Sequence, residues 1–291
     1  MFAKISSMKK IIILVKFLFI LSCCNSQELI SQFNKTVTFL YTTQNDKYVP
    51  YGTGFLVATS SKEQQGWYIY LVTAKHVLYS PNKKPLDLIY ARFNTKDSSE
   101  MFRVPLVWAG NKKTVFVHPD ESIDLAIIPV VLPSNLVYKF IPREQIGKRS
   151  EFDSLKINIG TEVFFTGLFT AFIETKNINP IFRFGRLCLM PKEKIEYDGI
   201  KRDLLLIESS SFGGNSGSPV IFSYHSGFTN NVRLEGVILG SFNQGQILEE
   251  QNQKNLIAWS SLGISAITPS EYIVEILNLP EMVKLRAGEI F

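Results

Sequence analysis

The chain has 291 residues, 45% of them hydrophobic and 20% charged, which places it among globular chains able to bury a large core in a single domain. Four of its five formal net positive charges belong to the first 22 residues, which hold Lys4, Lys9, Lys10 and Lys16 and no acid, leaving 27 basic against 26 acidic residues in the rest. The electrostatic footprint of a nucleic-acid binder is therefore absent, and with Cys23 and Cys24 adjacent and Cys188 alone no disulfide framework can be read.

Taken in chain order, Lys9 and Lys10 precede the apolar run Ile11 to Ser22, which is short and interrupted by Lys16. That pattern reads as an export signal over residues 1–22 rather than a membrane span. Ile20-Leu21-Ser22-Cys23 resembles a bacterial lipoprotein box, which implies lipidation at Cys23, with Cys24 or ordinary signal-peptide cleavage as alternatives. Residues 23–35 follow as a tether. Strand-like runs then occupy Thr36 to Tyr41, Tyr51 to Thr59, Tyr68 to Thr73, Phe102 to Val107 and Asp124 to Val130.

A polar, Pro-containing stretch around Leu132 to Ser154 reads as a crossover. A second set of strands is expected at Val163 to Phe169, Leu204 to Glu208, Val220 to Phe222, Leu234 to Ser241 and Leu262 to Ile267. The 22 Phe and 11 Tyr suit strands, and short apolar runs separated by turns suit a pair of barrels more than a βαβ array. Thr268-Pro269-Ser270-Glu271 reads as a capping box opening a helix over about 269–279, with Tyr272, Ile273, Ile276 and Leu277 on one face.

Chemistry concentrates in Ser211-Phe212-Gly213-Gly214-Asn215-Ser216-Gly217-Ser218-Pro219-Val220, where glycines flank a serine at the start of an apolar strand. A serine hydroxyl becomes a useful nucleophile only beside a base, and the chain has three histidines: His76, His118 and His225. His76 ends an apolar strand at a small-residue turn. His118, before Pro119, reads as a strand end, and His225 lies in a polar loop. Asp124 opens an otherwise apolar strand, so it must meet a hydrogen-bond donor. Taken singly, each of these residues is also explained as a loop or capping position.

Together, Thr73-Ala74-Lys75-His76, Asp124-Leu125-Ala126 and Gly214-Asn215-Ser216-Gly217-Ser218-Pro219 resemble the trypsin-like (chymotrypsin-fold) serine peptidases, in that family's order of His, Asp and Ser. The order also argues against an α/β-hydrolase, which would need the acid and histidine after the serine and a glycine where Ser218 stands. Tyr51 to Val57, Val117-His118-Pro119, Leu234 to Gly240 and Gly263 to Ile267 extend the likeness over most of the chain. Val77 stands where the secreted animal enzymes carry a cysteine, which makes the bacterial branch the nearer likeness. Too few residues follow the expected helix for the PDZ-type peptide-binding domain of the periplasmic quality-control peptidases.

The resemblance implies an all-β fold of two six-stranded antiparallel β-barrels, about 36–131 and 155–268 within a domain over 36–291, closed by a C-terminal helix. It implies His76, Asp124 and Ser216 as catalytic residues, the N–H groups of Gly214 and Ser216 as an oxyanion hole, and a substrate pocket formed by Ser210, Ser211, Leu239, Gly240 and Ser265. The expected activity is serine endopeptidase on a protein or peptide substrate, with no cofactor, no metal, no nucleic acid and membrane contact only through a lipid at Cys23. The expected location is the bacterial envelope, the periplasm or outside the cell. A catalytically silent module of the same fold that binds peptide, and a structural envelope lipoprotein, are the alternatives from other classes. Cys188, between Leu187 and Leu189, reads as a small core residue.

Overall fold

The computed structural model describes residues 32–61, 66–226, 229–249 and 255–288, so the export signal, Cys23 and most of the tether lie outside the described residues. The chain is all-β in its framework. Its first half contributes β1 (Val37–Gln44), β2 (Lys47–Ser60), β3 (Trp67–Thr73), β4 (Leu88–Thr95), β5 (Ser99–Pro105), β6 (Phe116–Val117) and β7 (Ala126–Pro129). These join in the order β5-β4-β1-β2-β3-β7-β6. Two short strands from the stretch expected to be a crossover, β8 (Leu136–Val137) and β9 (Ile141–Pro142), return to this sheet on β4 and β2.

The second half holds β10 (Glu162–Gly167), β11 (Ile181–Leu189), the hairpin of β12 (Ile195–Tyr197) and β13 (Ile200–Arg202), β14 (Leu205–Glu208), β15 (Pro219–Ser226), β16 (Thr229–Glu249) and β17 (Asn255–Pro269). Six of these close a barrel, in the order β10-β11-β14-β17-β16-β15. The expectation of two six-stranded barrels is thus corrected: one barrel is closed and the other half is an open nine-stranded sheet. No ladder joins the terminal strands β5 and β6 among the described residues. Beyond Pro105 the chain satisfies its backbone locally instead, with Thr114 Oγ1 donating to Pro105 O and accepting from Val107 N, both at 2.9 Å, and β6 offers only two residues for pairing.

The period-2 alternation of strand side chains explains how one strand serves two cores. In β2, Phe55 and Val57 enter the cluster shared with the second half, while Leu56 enters the cluster confined to the first. Tyr70 and Val72 of β3 divide from Leu71 in the same way. On the barrel side, Val163 and Phe165 fill the interior and Phe164 faces the shared seam. Each half therefore has a core of its own, and a third apolar layer glues them.

The chain ends in two short helices, Glu271–Leu277 and Pro280–Arg286, rather than one over 269–279. The capping box is not formed. Ser270 is buried and its hydroxyl donates to Gly147 O at 3.1 Å and Leu234 O at 2.9 Å, while Glu271 accepts from Arg149 Nε at 2.6 Å. Arg149 also forks onto Asp203 at 2.7 and 2.6 Å, so the segment between the halves is pinned to both the helix and the barrel. Cys188 is a free thiol and only partly buried, contrary to its reading as a core residue.

Candidate active site

Register places the first two functional side chains. β3 pairs antiparallel with β7 through Thr73↔Ala126, so the residues just after Thr73 meet those just before Ala126. His76 sits there on a 3-10 turn, Lys75–Leu78. Its backbone N–H donates to Asp124 Oδ1 at 2.9 Å and its Nδ1 lies 2.5 Å from Asp124 Oδ2. The donors that a buried carboxylate requires are thus supplied by a single residue; Asp124 is 3% exposed and the His76 side chain 47%.

The serine loop is pressed against the same strand ends from the other half. Thr53 N donates to Ser216 O at 2.9 Å, and Thr53 Oγ1 donates to Gly214 O at 2.6 Å. Gly217 has φ 87°, and a Cβ there would sit 2.1 Å from Thr53 O. Only glycine allows that backbone shape and that approach together. Asn215 is buried and its amide is satisfied, accepting from Phe212 N of the same loop at 2.9 Å and donating to Leu168 O, just after β10, at 2.7 Å.

Residues 212–215 form a turn closed by Asn215 N to Phe212 O at 2.9 Å, with Gly214 at φ 95° in the third position. Positive φ there is the type II pattern. Thr170 Oγ1 donates to Gly213 O at 3.2 Å, and a trans peptide points its N–H away from its C=O, so the Gly214 N–H faces the opposite side. Among the described residues neither the Gly214 nor the Ser216 N–H donates a hydrogen bond.

His76, Asp124 and Ser216 line one cleft of about 270 Å³, together with Ser211, Leu239 and Gly240. The Ser216 hydroxyl donates to Leu239 O at 3.1 Å rather than to His76. Of the other expected pocket residues, Ser210 is not among those lining the cleft. Ser265 is fully buried beneath it, donating to Ser209 O at 2.6 Å and lying 2.8 Å from Ser211 Oγ. Ser211 and its neighbours Phe212 and Gly213 bring no charge to the lining, whose charged members besides His76 and Asp124 are Asp198 and Arg202. His118 lies elsewhere, with Nε2 2.9 Å from Glu275 Oε2 and Nδ1 accepting from Asp120 N, tying the end of β6 to the helix Glu271–Leu277. His225 is an exposed residue of β15.

No family model matches the chain, and no curated protein matches it. Among solved structures it is similar to the crystal structure of the MamO protease domain from Magnetospirillum magneticum in its apo form. The identity is 16%, over 84% of this chain and 96% of that one, with a TM-score of 0.48. The roles of side chains therefore rest on this chain's own geometry.

Burial acts to lower the His76 pKa, but the hydrogen bond and charge of Asp124 outweigh it and the net shift is upward; Asp198 adds to the rise and Arg202 opposes it. Burial alone would raise Asp124, and the His76 contacts overcome this and hold its carboxyl below the usual range. The pair is therefore a carboxylate holding an imidazole whose Nδ1 carries the proton.

The sequence reading missed the hairpin β12–β13, which brings Tyr197, Asp198 and Arg202 to the cleft. Its signal was present. Asp198-Gly199 is the dipeptide of a two-residue hairpin turn, and both residues have positive φ, 51° and 74°. Tyr197 packs edge-on against Phe242 with ring centroids 5.2 Å apart. Burial, then the charges of Asp198 and Asp124, push its phenol up to about 12, so it is a hydrogen-bond donor at neutral pH.

Proposed function

We propose that the chain is an exported serine endopeptidase of trypsin-like fold. The observation that carries the reading is the His76–Asp124 pair at 2.5 Å opening into the same cleft as Ser216. The Ser216 hydroxyl turns from Leu239 O to His76 Nε2, loses its proton to the imidazole and attacks a peptide carbonyl carbon. His76 then returns that proton to the leaving amine, and water repeats the sequence on the acyl-enzyme. Asp124 holds the Nδ1–H tautomer and balances the imidazolium charge. The unpartnered N–H groups of Gly214 and Ser216 receive the oxyanion, for which each such donor is worth roughly a hundredfold to a thousandfold in turnover. The substrate is protein or peptide, with an uncharged side chain beside Ser211.

A fluorophosphonate probe tests the chemistry: it should label the purified wild-type protein at Ser216 and leave the Ser216→Ala variant unlabelled. Absence of an adduct on the wild type, or equal labelling of both, would overturn the assignment. The second reading, a silent module that binds peptide in the same cleft, is favoured by the Ser216 hydroxyl resting on Leu239 O. It predicts peptide binding without labelling.

Export with lipidation at Cys23 completes the proposal and would hold the domain at an envelope membrane. Mass spectrometry of the mature amino terminus should find a diacylglycerol-modified Cys23; an unmodified terminus beyond Cys24 refutes the anchor without touching the peptidase reading.

A further inference from the structure

Beyond its bonds to β17, strand β16 has a neighbour on its other edge as far as Ile238: Val237 pairs with Pro219 of β15, and Ile238 donates to Ser218 O and accepts from Gly217 N. From Leu239 onward that second edge opens into the cleft. The carbonyls of residues i and i+2 on a strand point to the same side, and two of them, Leu239 O and Ser241 O, are occupied by hydroxyls from outside the strand. Ser216 Oγ takes the first at 3.1 Å and Tyr197 Oη takes the second at 3.2 Å. Tyr197 also closes over Gly240, where a Cβ would lie 2.3 Å from its hydroxyl oxygen.

An extended peptide adds to an open strand edge through main-chain hydrogen bonds. Because Ser216 Oγ sits beside Leu239 O, the residue under attack is opposite Leu239, and in antiparallel addition the residue two positions towards the peptide's amino terminus is opposite Ser241. We propose that Tyr197 is a specificity-determining residue whose hydroxyl competes with that third substrate residue for the Ser241 carbonyl. The inference rests on the peptidase reading for its register. The hairpin itself is fixed. Ile195 and Tyr197 pack with Leu239 and Phe242, and Arg202 Nη1 donates to Ser122 O at 2.7 Å, so the competing element is the hydroxyl and not a swinging loop.

Tyr197→Phe keeps the ring over Gly240 and frees the acceptor. The test compares inactivation by acetyl-Ala-Ala-Ala and acetyl-Ala diphenyl phosphonates, which carry the same reactive group on peptides that do and do not reach Ser241. The ratio of the two second-order rate constants should rise about 2- to 10-fold in Tyr197→Phe, the worth of one neutral hydrogen bond. An unchanged or smaller ratio overturns the proposal. The same two ligands titrated onto Ser216→Ala protein, with and without Tyr197→Phe, must show the same change in the ratio of dissociation constants. That second measurement reads the competition even if Ser216 proves unreactive, whereas absence of wild-type labelling counts against the peptidase reading alone.

Discussion

Asp124→Asn should lower kcat for peptide hydrolysis near neutral pH by roughly 10⁴-fold while the protein stays folded. In the wild type Oδ1 accepts from the His76 backbone N–H and Oδ2 faces Nδ1. An asparagine keeps the first bond with its oxygen and turns its NH₂ towards Nδ1. Nδ1 must then accept, the ring proton moves to Nε2, and the imidazole presents a donor to Ser216 where the chemistry needs an acceptor. The pH profile carries a second signature. Because His76 is raised above 6.5 by Asp124, wild-type kcat/KM should fall on the acid side with an apparent pKa above 6.5, since the imidazolium cannot take the serine proton. In Asp124→Asn that limb should move to lower pH. A variant within tenfold of wild type, or an unmoved acid limb, would show that Asp124 does not set the tautomer and charge of the base.

Glu235→Gln should raise the melting temperature at pH 9 and have little effect at pH 5. Glu235 is 2% exposed, its Oε1 has no hydrogen-bond partner among the described residues, and a Cβ on Gly147 would fall 1.9 Å from Oε2, so a backbone with no side chain is packed directly onto the carboxyl. Burial first, then the nearby Glu151 and Glu271 charges, push its pKa up to about 8 against a partial offset from Arg233. A carboxyl with a raised folded-state pKa binds more protons folded than unfolded between the two values. Stability from this group is therefore present below about 4.5, declines as pH rises towards 8, and is level above that. The decline is of the order of 4 kcal/mol, and the neutral glutamine removes it. Parallel stability curves for the two proteins from pH 5 to 9 would contradict the burial argument.

The parts of this site that were legible in the sequence are those whose backbone dictates residue type. Gly217 is forced by the approach of Thr53 O, and Gly214 by the turn that aims its N–H. Asp124 is a charge at the head of an apolar strand that could survive only with donors. Each announces itself locally. The wall of the cleft did not, because Tyr197 reaches Gly240 from a hairpin more than 40 positions earlier, and nothing in the strand around Gly240 names its visitor. The open first sheet was illegible for a related reason: closure depends on whether β5 and β6 meet, and a two-residue strand has no periodicity to read. The capping box read at Thr268 to Glu271 was overruled by tertiary structure: Thr268 and Pro269 stay in β17, the helix starts at Glu271, and Ser270, at its cap position, gives its hydroxyl to the buried carbonyls of Gly147 and Leu234.

The seam between the halves has a further bearing on how this protein fails. His76 and Asp124 belong wholly to the first half and Ser216 wholly to the second, and each half keeps a core of its own. At the site itself they are joined by Thr53, which bonds Ser216 and Gly214, and elsewhere by bonds such as Arg202 to Ser122 and Arg92 to Glu174 and Thr175, all laid over the shared apolar layer. On the proposed peptidase reading, a shift at the Thr53 contact would part Ser216 from His76 while leaving the separate cores of the two halves in place. Labelling of Ser216 by a fluorophosphonate is thus expected to report how the two bodies are seated, and to fall on heating before the fold does.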